Sequence, residues 1–185
     1  MDKIKIIAIM GKSASGKDTI MKELVKRNPS LNEIVSYTTR PQRDYEINTV
    51  HYNFITIEEF VEMVSNDEML EATNFNDWWY GTSINSLKKD AVNIGVFNPE
   101  GVFALLESDD ILDIDIYYVL AKNKTRLIRQ LTREENPNIK EILRRYQTDE
   151  KDFLELPNRY VRIENETDGD FLDCLNTIES ISLGK

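Results

Sequence analysis

Residues 3–10 (KIKIIAIM) form a short, β-branched apolar run that stops at Gly11, the pattern of a strand buried on both faces. Residues 18–27 change period: Ile20, Leu24 and Val25 fall on one helical face, and Asn28-Pro29 closes the stretch. Further strands are predicted at 34–37, 93–97, 114–121 and 159–163, and further helices at 57–66, 83–91, 124–133, 137–154 and 170–181. Strands alternating with helices imply an α/β protein, a mainly parallel sheet with helices on both faces. Residues 38–82 break this rhythm with short alternating pieces such as 51–55, and read as an insertion between core strands. Asn136-Pro137 predicts a helix start, with Asn as N-cap and Pro in the first turn. The break at 133–135 would then let the following helix move.

Composition narrows the class. A chain of 185 residues, 41% hydrophobic and 30% charged, fits one globular domain with a real core. No apolar stretch approaches the roughly 18–20 residues that span a bilayer, and the early strand pattern leaves no signal-peptide signature. The single Cys174 permits no internal disulfide and suits the cytoplasm. A net charge of -10 argues against general nucleic-acid binding, but leaves room for a small anion where basic residues converge.

Gly11-Lys12-Ser13-Ala14-Ser15-Gly16-Lys17 supplies such convergence. It matches the first seven positions of the P-loop pattern, between a predicted strand and a predicted helix. Glycines let backbone N–H groups turn around an anion, the helix N-terminus adds its dipole, and Lys17 brings a point charge to the β- and γ-phosphates. The next position normally carries Ser or Thr for magnesium; here it is Asp18, then Thr19. Asp18 reads equally as an acid favoured by the helix dipole or as a magnesium ligand, while the Thr19 hydroxyl can meet a phosphate.

Ser36-Tyr37-Thr38-Thr39-Arg40-Pro41-Gln42-Arg43 places two arginines beside hydroxyls, and each can fork a phosphate as lysine cannot. With His51–Phe54, Glu68–Ala72 and Trp79–Ser83 in order and at matching spacing, the chain resembles the guanylate kinase family over almost its whole length. The resemblance implies a three-layer P-loop kinase fold with core segments 1–37, 83–121 and 155–185, an acceptor-binding insertion at about 38–82 and a helical lid at about 122–154. It implies that Arg40, Arg43, Tyr52 and Tyr80 hold the acceptor phosphate and that Ser36, Glu71 and Thr82 read the base. Gly11, Ser13, Ala14, Ser15, Gly16, Lys17, Asp18 and Thr19 would bind ATP with its Mg²⁺, and Asn165 would touch the donor base.

Phosphoryl transfer needs positive charge on the migrating group. Arg126, Arg129 and Arg133 share one helical stripe, and Arg144-Arg145 follow. By alignment with the family, Arg133 and Arg145 are the closest catalytic matches, joining Lys17 and Arg40; Arg129 and Arg144 come next, and a solvated basic face is the plain alternative. One segment departs from the family. Its Asp-x-Asp after the 93–97 strand is here Val96-Phe97-Asn98, although Gly101 still fits. The expected reaction is ATP with GMP or dGMP giving the diphosphates. The alternatives are a deoxynucleotide kinase of wider acceptor range and a silent guanylate-kinase-like module that binds a protein. Oligomeric state stays open between monomer and homodimer.

Overall fold

A computed structural model of the chain describes residues 3–42, 46–75, 77–108, 110–133 and 135–185. The strands are β1 (Ile4–Met10), β2 (Asn32–Glu33), β3 (Tyr37–Thr38), β4 (Asn53–Phe54), β5 (Met69–Phe75), β6 (Trp78–Ser83), β7 (Asn93–Phe97), β8 (Leu112–Leu120) and β9 (Val161–Glu164). The helices are α1 (Lys17–Arg27), α2 (Ile57–Ser65), α3 (Pro99–Leu106), α4 (Asn123–Thr132), α5 (Ile139–Asp152) and α6 (Asp168–Leu183). A five-stranded sheet has the order β2-β7-β1-β8-β9, and each of its pairings is parallel.

The alternation of β1 sets the layers. Ile7 and Ile9 pack with Ile20 and Leu24 of α1 and with Leu175 and Ile178 of α6. Ile6, Ala8 and Met10 face the other way, onto Val102 and Leu105 of α3. Burying one such large aliphatic side chain is worth about 1.5–3 kcal/mol. Burial on both faces therefore holds this central strand far more firmly than propensity would. The three-layer α/β expectation is met.

A second sheet has the order β4-β3-β6-β5, antiparallel except between β3 and β4. Phe60 of α2 is buried against it, with its ring centroid 5.8 Å from that of Trp79.

Four sequence expectations change. The helix expected at 83–91 is a single 3-10 turn, Ile84–Ser86. Ser83 Oγ accepts from Asn85 N–H at 3.2 Å, and buried Asn93 accepts from Lys88 N–H and donates to the carbonyls of Lys88 and Ala91. That side chain takes backbone groups a helix would have used. Helix α3 was not among the expected helices; Asn98 caps it, accepting from Gly101 N–H at 2.7 Å, with Pro99 in the first turn. Of the strand expected at 34–37, residues 34–36 are the passage between the two sheets, paired at its start by Ile34 N–H to Ile94 O at 2.8 Å, and Tyr37 opens β3. Helix α5 starts later than expected: its cap is Asn138, accepting from Glu141 N–H at 3.1 Å, rather than Asn136. Among the described residues no helix is long and apolar enough to cross a membrane.

Candidate functional site

Because the central sheet is parallel, the chain leaves β1, β7, β8 and β9 at one edge, the usual ligand crevice of such sheets. The Gly11–Lys17 turn lies there, entering α1 directly. A Cβ on Gly11 would sit 2.7 Å from the Val119 carbonyl, and Gly16 has φ +94° with the Asn165 amide pressed against it. Neither position takes a larger residue without a backbone shift. Lys17 Nζ lies 3.3 Å from the Asp18 carboxylate, which holds that carboxyl below its usual range. The Asp18 side chain is 67% exposed, so water reaches it, and Arg133 adds to its positive surroundings.

Asn165 is buried, and its Nδ2 donates to Ser15 O at 2.8 Å. Arg129 donates to the carbonyls of Ala14 (3.4 Å), Ser15 (3.2 Å) and Asn165 (2.9 Å). Both residues serve the loop's backbone.

Two residues beyond β3 of the small sheet, Arg40 is buried and donates bidentately to Glu46, at 3.0 and 2.8 Å. Its guanidinium lies 5.6 Å from the Tyr52 ring centroid, and the Tyr80 hydroxyl adjoins it. The Tyr52 and Tyr80 rings meet edge-on at 5.9 Å. Burial, then the Asp18 carboxylate, keep the Tyr52 hydroxyl protonated well above its ordinary range. The electrostatic influence of Asp18 on Tyr52 ties the phosphate-loop side of the crevice to the Arg40 side. Arg43 lies outside the described residues.

Glu71 and Thr82 are register partners on β5 and β6, and both are buried. Ser36 Oγ stands 3.4 Å from Thr82 Oγ1. Burial pushes the Glu71 carboxyl up to about 7, against a Thr82 hydrogen bond that pulls the other way. The Glu71 carboxylate also faces the first turn of α3, 3.4 Å from where a Gly101 Cβ would stand. Ser36, Glu71 and Thr82 are thus brought together as one polar group.

Across the crevice, Glu141 of α5 accepts from Arg144 at 2.7 and 2.8 Å and from Arg145 at 2.8 Å. The Arg144 bond, followed by those from Arg145, lowers the Glu141 carboxyl to about 2. Arg144 Nη1 stays buried without a hydrogen-bond partner, within electrostatic reach of Tyr80. Arg133 and Arg145 share the lining of a concavity between α4 and α5.

This assembly has a counterpart among known proteins. The family model described as guanylate kinase matches residues 3–178. The chain belongs to the guanylate kinase family. A guanylate kinase of Carboxydothermus hydrogenoformans is 44% identical over 82 residues, 44% of this chain and 40% of that protein. In this and three similar matches the chain spans 39–44% of the relative's length. A guanylate kinase of Campylobacter jejuni is 29% identical over 156 residues, 82% of this chain and 76% of that protein. The crystal structure of guanylate kinase from Anaplasma phagocytophilum covers all of this chain and 87% of its own, with a TM-score of 0.67 and 18% identity, a likeness of fold.

Within this guanylate kinase family member, sequence reasoning passed over Glu46, Glu141 and Asp149. Glu141 had a readable signal, since an acid three and four residues before two arginines makes helical ion pairs. Glu46 and Asp149 had none.

Proposed function

We infer that the chain transfers the terminal phosphoryl group of ATP to GMP or dGMP. The observation that carries this reading is the buried Glu71 carboxylate on β5, flanked by Thr82 and Ser36, in a sheet whose β6 carries Tyr80 and whose β3 and β4 adjoin Arg40 and Tyr52. A carboxylate accepts from both the N1–H and the 2-amino group of guanine, a donor pair adenine lacks. Buried polar partners left unmatched by the wrong base lower its use by up to about 10⁴-fold.

In this reading residues 38–82 bind the acceptor and residues 122–154 form the lid. Arg40, with Arg43, Tyr52 and Tyr80, receives the acceptor phosphate, and Glu46 holds the Arg40 fork in place. Gly11–Thr19 receives the donor phosphates, with Lys17 on the migrating group. Arg133, Arg144 and Arg145 bring charge from the other side, and closure excludes water so that hydrolysis does not compete.

The donor set fits Mg²⁺ carried in with ATP. That ion keeps several waters and takes one or two protein oxygens. Among the described residues no group of three or more His, Cys, Asp or Glu converges, and the protein's share would be the water-exposed Asp18 carboxylate. The ion supplies charge neutralisation on the phosphates. Asn98, at the family's acidic position, spends its oxygen capping α3. A cytoplasmic setting belongs to the same proposal.

The test is ADP release measured across GMP, dGMP, AMP, CMP, UMP and dTMP. Turnover confined to the two guanine nucleotides is the expected result. Broad turnover would favour the wider deoxynucleotide kinase, and ligand binding without turnover the silent module.

A further inference from the structure

The carbonyls of the phosphate loop are held from behind by the helices that follow β8. Arg126 of α4 donates Nε–H to Ser13 O at 2.9 Å, and Arg129, one turn later, donates to Ala14 O and Ser15 O. Asp149 of α5 accepts from Ser13 twice, from its backbone N–H at 2.9 Å and from its hydroxyl at 3.0 Å. Arg126 and Asp149 are themselves an ion pair, and both are buried. Arg126 also donates to Asn123 Oδ1 at 3.1 Å and lies over the Tyr146 ring at 4.9 Å. Lys12 Nζ meets Glu150 at 2.7 Å, a partly exposed pair of little weight. The N–H, C=O and hydroxyl of Ser13 are therefore all taken by α4 and α5.

A trans peptide carries its C=O and the next N–H on opposite sides. Fixing the carbonyls of Ser13 and Ser15 towards α4 and Asn165 turns the N–H groups of Ala14 and Gly16 the other way. An anion cradle needs its N–H groups in that orientation before the ligand arrives. Ala14 is held at φ +60°, an unfavourable value for a residue with a Cβ, so the loop needs outside support to keep this shape.

We propose that Arg126 and Asp149 are positioning residues for the donor nucleotide, a brace from α4 and α5 that keeps the N–H groups of the phosphate loop facing ATP. The proposal rests on the loop being the ATP site and gives the pair a task that ordinary packing does not require. A buried ion pair can often be replaced by apolar residues of similar volume with no loss of stability, so the two roles separate.

The decisive variant is Arg126→Met with Asp149→Leu, compared with the unchanged protein by calorimetric titration with ATP and, separately, GMP. The expected result is a thermal midpoint close to the parent, ATP binding weakened about tenfold or more, and GMP binding within about twofold. A folded double variant that binds ATP as tightly as the parent overturns the proposal. So does an equal loss for both nucleotides. If the double variant fails to fold, Asp149→Asn weakens both contacts to Ser13 and leaves every residue of the loop itself unchanged. ATP binding should then weaken about threefold with GMP unchanged, and an unchanged ATP affinity overturns the brace. A parent protein that binds ATP but turns over no GMP would refute the proposed function and leave the brace standing.

Discussion

Glu71 combines two demands that conflict. Its carboxyl is raised by burial from 4.5 to about 7, so the folded protein binds a proton there that the unfolded chain has released above pH 4.5. Stability from this group therefore falls as pH rises from about 4.5 to about 7, and the loss is complete above that. Glu71→Gln removes the penalty. It should raise the thermal midpoint at pH 8, by on the order of 1 kcal/mol or more of stability, with the difference fading near pH 5. The same change leaves a guanine donor unmatched, so kcat/KM for GMP should fall sharply while ATP binding holds. In the parent protein KM for GMP should climb as pH drops below 7, because the protonated acid has lost an acceptor. A KM flat from pH 6 to 8 would refute that assignment. Asp18 sets a second residue-scale test. If its carboxylate shares a magnesium ion, Asp18→Ser should raise the Mg²⁺ concentration needed for half-maximal rate and weaken Mn²⁺ binding to the ATP-loaded protein in paramagnetic titration. No shift in either would leave Asp18 as the partner of Lys17 alone.

Helix α5 shows how one acid can serve two bases. Glu141 takes the Nε–H of both Arg144 and Arg145, leaving Arg144 Nη1 buried and unpartnered beside the crevice. Glu141→Gln should lower kcat about threefold to tenfold with little change in KM for GMP, since the arginines act mainly as charge develops. Equal damage to KM would make them ground-state ligands. The elements also show what was legible in the sequence. Strands β1, β7 and β8 could be read because burial on both faces makes each a short apolar run, and helix α1 because burial on one face imposes a period. Helix α3 was obscured although Asn98 and Pro99 are helix-start residues, since Gly101 follows them so closely. The stretch at 83–91 has a helix-like composition, yet its backbone is claimed by Asn93, a contact that no local pattern encodes. In the site, the loop and Arg40 could be picked out because their motif residues are consecutive along the chain, whereas Glu71 was picked out only through the family resemblance. Asp149 was not, because it meets Ser13 across most of the molecule.

At the scale of the whole molecule, the phosphate loop belongs mechanically to α4 and α5 as much as to the strand and helix it joins. Amide hydrogen exchange should report this. The amides of Ser13 and Ser15, bonded to Asp149 and to Lys12 O, should be protected together with those of α4, and Arg126→Met with Asp149→Leu should release them first. Loop amides that exchange independently of α4 in the parent would contradict that coupling. The brace also bears on the order in which the protein can be made. The loop is synthesised well before the groups that shape it, Arg126, Arg129, Asp149 and Asn165. The neighbours of β1 are equally late, with Ile6 paired to Asn93 and to Ile114. Contacts this distant along the chain form slowly, because loop closure precedes any reward. During synthesis the early segment is therefore an unsupported glycine turn with no means of retaining a nucleotide. On the proposed reading, competence for ATP arrives as a late event of folding, once residues 126–165 have been made, so chains that stop short of them do not sequester the donor.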